Sequence, residues 1–235
     1  MKYPLETSFR EEKKYIPYNF LSLVEIRNYM LLNGFRETSQ YYVYSVYFDL
    51  DNYINAIHHL EGNFRRRKQR IRFYLNKESQ LVNGFFWEEK IKEGNLGSKY
   101  RTRIPQSENF LGKYITSDFD LHTLIRELLS LTHNIDVVSG KSKALRPVVL
   151  VKYHRTRFSS LSEEANLDEE ISFSSLNNRR VGHFFTFGAR VLEFKIPFRT
   201  HNSRLCSLSS QLPLPRTSFS KYLYALNKLG ILRDY

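Results

Sequence analysis

Residues 68–74, Lys-Gln-Arg-Ile-Arg-Phe-Tyr, set Lys68, Arg70, Arg72 and Tyr74 at every second position, with Ile71 and Phe73 between the later ones. Successive side chains on a β-strand point to opposite faces, so one face of this segment is cationic and the other apolar. The pattern recurs in Arg10, Glu12 and Lys14, in Glu88, Lys90 and Lys92, in Tyr153, Arg155 and Arg157, and in Glu193 and Lys195. Any one such strand reads as the solvated face of an antiparallel sheet. Five of them, rich in Arg, change the weighing. The rigid guanidinium fork matches phosphate oxygens. The few carboxylates lie two residues from a cation, and they suit a hard divalent cation bridging two phosphates. If the sheet closes, the charged faces line the inside and the apolar faces pack outward against helices. Cations so crowded repel one another unless a polyanion occupies the lumen.

The elements that must position these residues are legible in outline. Residues 8–16 predict a first strand, and 18–34 a helix ending at Gly34. Residues 41–51 are aromatic and β-branched, hence a strand. Residues 52–63 read as a loop or short helical turn. Strands at 67–75 and 84–94 are joined through polar 76–83 as a hairpin. Residues 117–132 predict an amphipathic helix with Ser117 as N-cap. A long strand follows at 146–158, and further strands in 160–173 and 182–197, with Gly188 near a turn. Residues 174–180 read as a loop tip and 218–230 as a C-terminal helix. No repeat, low-complexity run or clear linker appears, so a single domain over 1–235 is expected.

Composition bounds the function. At 41% hydrophobic, the chain can bury a proper core. Its 16 Tyr and 18 Phe favour strands. A net charge of +12 asks for an anionic partner. The lone Cys206 excludes an internal disulfide, fits a reducing compartment and reads as inert. There is no apolar signal core and no 18-residue apolar run, so a soluble, cytoplasmic protein without a transmembrane segment is expected. No Gly-rich phosphate loop is present. The histidines lack metal-ligand spacing, and His58 and His59 read as surface residues. Residues 64–70, Phe-Arg-Arg-Arg-Lys-Gln-Arg, resemble a nucleic-acid patch. Glu12, Glu88 and Glu193 would oppose a phosphate backbone, so nucleic acid ranks below the lumen reading. Trp87 falls on the face opposite Glu88 and reads as outer packing.

Eight segments follow one another along nearly the whole chain: FREEKKY, SVYFD, RKQRIRFY, FWEEKIK, SKYRTR, RPVVLVKYHRTRF, RVLEFK and SFSKY. In this order they resemble the VTC (vacuolar transporter chaperone) domain, a branch of the triphosphate tunnel metalloenzymes. The resemblance implies an α+β fold, an antiparallel β-barrel of about eight strands forming a tunnel with helices packed outside. It implies nucleotide-dependent polyphosphate synthesis with Mn²⁺ or Mg²⁺, while relatives hydrolyse triphosphate or cyclise nucleotides. The ligands implied are ATP, triphosphate or polyphosphate. Lys14 matches the basic position closing the first strand, Arg70 and Arg72 the paired tunnel arginines, and Glu88 and Lys90 the Glu-x-Lys strand. Lys99 and Arg101 match a following basic pair, and Arg155 the arginine after the Tyr of the long strand. Glu193 matches the metal-binding glutamate, with Glu88 or Glu12 as its companion, and Lys221 the lysine of the Ser-Lys-Tyr motif. Arg70, Arg72 and Lys221 are the expected catalytic groups. Lys68 and Lys195 join the phosphate-binding set from the charged faces.

One departure stands out. Where the family has Arg-x-Thr-x-Asp, residues 164–168 read Glu-Ala-Asn-Leu-Asp, placing Glu164 and Asn166 at the Arg and Thr positions and keeping Asp168. Arg179 or Arg180 could compensate. A polymerase, a triphosphate or short-polyphosphate hydrolase, and a non-catalytic polyphosphate-binding module all fit this sequence. It is silent on oligomeric state.

Overall fold

A computed structural model describes residues 10–18, 21–94, 96–104, 107–131, 145–161, 163–177, 180–197, 203–211 and 214–232. The strands are β1 (Arg10–Tyr15), β2 (Arg36–Asp49), β3 (Arg65–Leu75), β4 (Leu81–Glu93), β5 (Leu96–Arg103), β6 (Arg146–Ser160), β7 (Glu163–Asn177), β8 (Arg180–Thr186), β9 (Val191–Pro197) and β10 (Arg216–Thr217). The helices are α1 (Leu23–Leu32), α2 (Ile54–Leu60), α3 (Asp118–Leu131), α4 (Arg204–Gln211) and α5 (Lys221–Lys228). All ten strands join one antiparallel sheet, in the order β10-β1-β9-β7-β6-β2-β3-β4-β5, with β8 pairing β7 off this path. The sheet curls into a half-barrel. Lys90 on β4 meets Glu12 on β1 at 2.7 Å, although the two strands lie near opposite ends of that order.

Period-2 alternation sorts the side chains onto two faces. On the convex side, Tyr44, Val46 and Phe48 of β2 and Ile71, Phe73 and Leu75 of β3 bury against Leu121, Leu124, Ile125, Leu128 and Leu129 of α3. Trp87 joins this core's margin, 5.3 Å from Phe48 between ring centroids. A second convex core sets Phe158, Ala165, Leu167, Leu192 and Phe194 against Ile26 and Met30 of α1 and Leu205 and Leu208 of α4. As expected, Ser117 caps α3, its hydroxyl accepting from the Asp120 amide.

A third core lies on the concave side. There Val43, Tyr47, Val149, Val151, Ile171 and Phe173 enclose Tyr222, Ala225 and Leu226 of α5. Helices α1, α3 and α4 pack outside as expected, while α5 sits within the curl, with Ala56 of α2 in the same core. The charged pattern does not run the length of every strand. β2, β6 and β7 each turn apolar at one end, and that end accepts a helix. Asp49, fully buried at the end of β2, fastens the arrangement. Its carboxylate accepts from the amides of Leu50, Asn55 and Ala56, and from the Tyr222 hydroxyl at 2.6 Å.

Other differences are local. β2 begins five residues earlier than the aromatic run, through polar 36–40. The expected loop tip at 174–180 is mostly strand, since β7 runs to Asn177 and β8 starts at Arg180. The helix α4 and the strands β5 and β10 were not foreseen as elements. Among the described residues, no helix is long and apolar enough to cross a membrane.

Candidate active site

On one wall, register brings β3, β4 and β5 together with Arg70 opposite Glu88 and Glu88 opposite Arg101. Glu88 is 2% exposed and is surrounded by cations. Arg70 donates to its Oε2 through Nε at 2.9 Å and Nη2 at 2.7 Å. Arg72 lies at 3.8 Å from the same oxygen, and Lys99 and Arg101 at 3.1 and 3.5 Å from Oε1. Burial alone would raise the Glu88 carboxyl, yet Arg72, Arg70 and Lys99 hold it well below the usual carboxylate range. The arginines are also aimed by neutral groups. Arg70 donates to the Tyr47 hydroxyl at 3.0 Å, and Arg72 to Ser45 Oγ at 3.3 Å and the Tyr153 hydroxyl at 3.2 Å. Arg101 stacks 3.8 Å above the Phe86 ring centroid.

Lysines here carry the strain of the crowding. Burial, with Arg72 and Arg70 adding to it against the pull of Glu88, pushes Lys99 down to about 8. Lys68 is driven well below its ordinary value by burial and by Lys14, Lys90, Lys92 and Arg70. Its Nζ donates at 2.9 Å to Ser220, whose hydroxyl also caps α5.

On the facing wall, β6, β7, β9 and β1 bring a second set inward. Arg155 grips both oxygens of fully buried Asp168 at 2.6 and 2.8 Å, and Lys221 of α5 reaches the same carboxylate at 2.6 Å. Lys14 donates to the Phe219 carbonyl at 3.1 Å. Against the effect of burial, Lys14, Arg155 and Lys195 hold Glu193 down to about 2. Glu164 faces the same way, 3.5 Å from Arg157 and 3.6 Å from Lys195. It therefore turns toward the lumen. Arg179, one suggested compensation, is outside the described residues.

Lys14, Lys68, Arg70, Arg72, Lys90, Lys99, Arg101, Arg155, Lys195 and Lys221 thus share the concave side. The three proposed metal ligands do not converge. Glu88 belongs to the cation wall, and among the described residues no three His, Cys, Asp or Glu side chains come together as a metal-holding group. Glu12 and Glu193 do lie on the same face of paired strands, diagonal to each other and two residues out of register, and Glu193 raises the proton affinity of Glu12. Two such carboxylates fit a hard divalent cation, whose other positions water and phosphate oxygens fill.

Sequence reasoning gave no role to Tyr47, Tyr153 or Asp168 in aiming the cations. Tyr153 did fall in the charged pattern and Asp168 in the segment matched to the family motif, but Tyr47 read only as a strand aromatic. His59 corrects an expectation. It is only partly exposed, and burial with Lys68 and Arg66 pushes it down to about 3. Its segment folds as α2 against β3 rather than standing free.

A curled antiparallel sheet whose inner face carries ordered arginines and lysines defines the class: this is the triphosphate tunnel fold. A solved protein of Pyrococcus horikoshii OT3 shares it, with a TM-score of 0.51 at 11% identity over 94% of this chain and 99% of that one. So do candidate adenylate cyclases of Vibrio parahaemolyticus and Bacillus halodurans. The first has a TM-score of 0.51 at 12% identity, over 92% of this chain and 98% of its own. The second has a TM-score of 0.51 at 13% identity, over 91% and 94%. At these identities the likeness is one of fold. No curated protein matches the sequence. The pattern of the VTC domain matches residues 8–229, and the chain belongs to that family.

Proposed function

We propose that the lumen binds the phosphate chain of ATP or of polyphosphate and transfers phosphoryl groups between them with a divalent cation, Mn²⁺ or Mg²⁺. The observation that carries this reading is the convergence of Arg70, Arg72, Lys99 and Arg101 on one wall with Arg155, Lys195 and Lys221 on the other. Phosphoryl transfer depends chiefly on alignment and charge stabilisation, and a preorganised set of donors supplies both. No protein nucleophile is required, since an oxygen of the acceptor phosphate attacks. Arg70 and Arg72, fixed by Tyr47, Ser45 and Tyr153, would hold the phosphoryl group in flight. Lys221, positioned by Asp168, would offset charge on the leaving oxygen. Glu193 and Glu12 would hold the cation, which when bound withdraws charge from the phosphate oxygens. Glu88 organises the cation wall.

Incubation with ATP and Mn²⁺, followed by a polyphosphate stain and a phosphate-release assay, tests this. Stained polymer supports the proposal. Free phosphate without polymer makes the protein a hydrolase. Loss of both products, with tripolyphosphate still bound, makes it a binding module.

That last reading is favoured by Glu164, which occupies Arg157 and Lys195 with an internal carboxylate. If this competition restrains turnover, Glu164→Arg tightens metal-free tripolyphosphate binding and raises polymer formation. Unchanged values for both would remove Glu164 from the account.

A further inference from the structure

Asn166 lies on β7 between Glu164 and Asp168. Its neighbours Ala165 and Leu167 are in the convex core, so alternation turns Asn166 to the lumen. In register it stands between Arg157 on β6 and Glu193 on β9. It is 1% exposed, yet neither its amide oxygen nor its amide nitrogen has a hydrogen-bond partner. A buried polar group left without a partner costs stability, so folding alone gives no reason for an amide at this place. Its neighbours on the strand are matched: Asp168 by Arg155 and Lys221, Glu164 by Arg157 and Lys195.

A free donor and a free acceptor on one planar group call for a ligand with both characters side by side. A phosphate oxygen accepts from an amide nitrogen and offers nothing to the amide oxygen. A divalent cation, or water bound to it, does the reverse. A phosphate with its cation satisfies both atoms at once.

We propose that Asn166 is a binding residue for that pair, its Nδ2 donating to a non-bridging phosphate oxygen and its Oδ1 facing the divalent cation beside Glu193. The proposal rests on the reading of the lumen as a metal-dependent phosphate-chain site, and it adds a ligand contact that the charged pattern does not contain.

The test compares the wild-type chain with Asn166→Leu and Asn166→Asp. It uses thermal melts, calorimetric titration of inorganic tripolyphosphate with and without Mn²⁺, and Mn²⁺ spin resonance. Asn166→Leu removes both unmatched atoms. Without ligand its melting point should equal or exceed that of wild type, while tripolyphosphate affinity in Mn²⁺ falls roughly 10- to 100-fold. A merely structural amide would give the opposite pair, a lower melting point with unaltered affinity, and would overturn the proposal. Asn166→Asp keeps the shape, loses the donor and adds a charge. Mn²⁺ should bind it more tightly, and metal-free tripolyphosphate more weakly, which keeps the test open should the Leu variant not fold. Wild-type behaviour in both variants sinks the assignment but leaves the lumen reading intact. A wild-type chain that binds no tripolyphosphate overturns that reading and this inference with it.

Discussion

Arg70 and Arg72 reach the lumen already fixed, each held by at least two neighbours. Replacing both by Ala should weaken tripolyphosphate binding by at least about 100-fold, since charge-assisted hydrogen bonds contribute roughly 1.5–3 kcal/mol each. Calorimetry giving wild-type affinity would refute the site. Lys99 ties the same wall to pH. With its value near 8, it sheds its proton in mildly alkaline solution, where an ordinary lysine keeps it. Bound polyanion favours the protonated form, so binding takes up protons and affinity should fall as pH rises through about 8. Lys99→Met should flatten that part of the profile. A profile of unchanged shape in the variant would show that another group titrates there.

At the scale of elements, α5 couples fold to site. Lys221 at its start holds Asp168, Ser220 before it receives Lys68, and Tyr222 ties it to Asp49 beneath α2. Tyr222→Phe removes one hydroxyl and leaves Asp49 with its three backbone donors. A loss of about 1–3 kcal/mol is expected from the unmade buried bond, read as a lower melting point with the sheet intact. Because Lys221 begins the same helix, tripolyphosphate affinity should fall with it. Normal affinity in the destabilised variant would show that Lys221 is held by Asp168 alone. β7 contributes another structural device. Its register against β6 shifts between Lys152 and His154, with Glu170 at φ 52°, so even-numbered residues up to Asp168 face inward and odd-numbered Ile171 and Phe173 do so after it. The bulge lets one strand serve the charged site and the apolar socket of α5.

For the molecule as a whole, the concave face carries more cations than carboxylates, and filling it with a polyanion should stabilise the fold. Tripolyphosphate at 100 times its dissociation constant contributes about 2.7 kcal/mol, or a rise of roughly 5–10 °C in melting point for a chain of this size. No shift at millimolar tripolyphosphate would count against a preformed site. Acid acts in the other direction. Glu193 is depressed from 4.5 to about 2 in the folded chain, and Asp168 and Glu88 are depressed too. Their stabilisation is present above the unfolded values and lost as pH falls through the folded ones. Melting points should therefore hold steady above about pH 5 and decline from 4.5 toward 2. Glu193→Gln should soften the decline, and an identical acid profile would show that Glu193 contributes nothing to it.

The period-2 spacing of Lys68, Arg70 and Arg72, of Glu88 and Lys90, and of Arg155 and Arg157 determined by itself that these side chains share a face. Alternation is a local property of a strand, so it can be read without knowing which strands pair. The amphipathic pattern at 117–132 determined α3 in the same way. Partnership was another matter. That Glu88 gathers four cations while Glu12 stands opposite Lys195 and Glu193 opposite Lys14 depends on register and curl, which are set by contacts distant in sequence. The inward seat of α5 depends on where the charged faces stop, and the parity change in β7 on a single bulged residue. Asn166 marks the limit most sharply. Nothing in its letter or its neighbours shows an unmatched amide, because satisfaction of a buried polar group is decided only when the surrounding strands close over it.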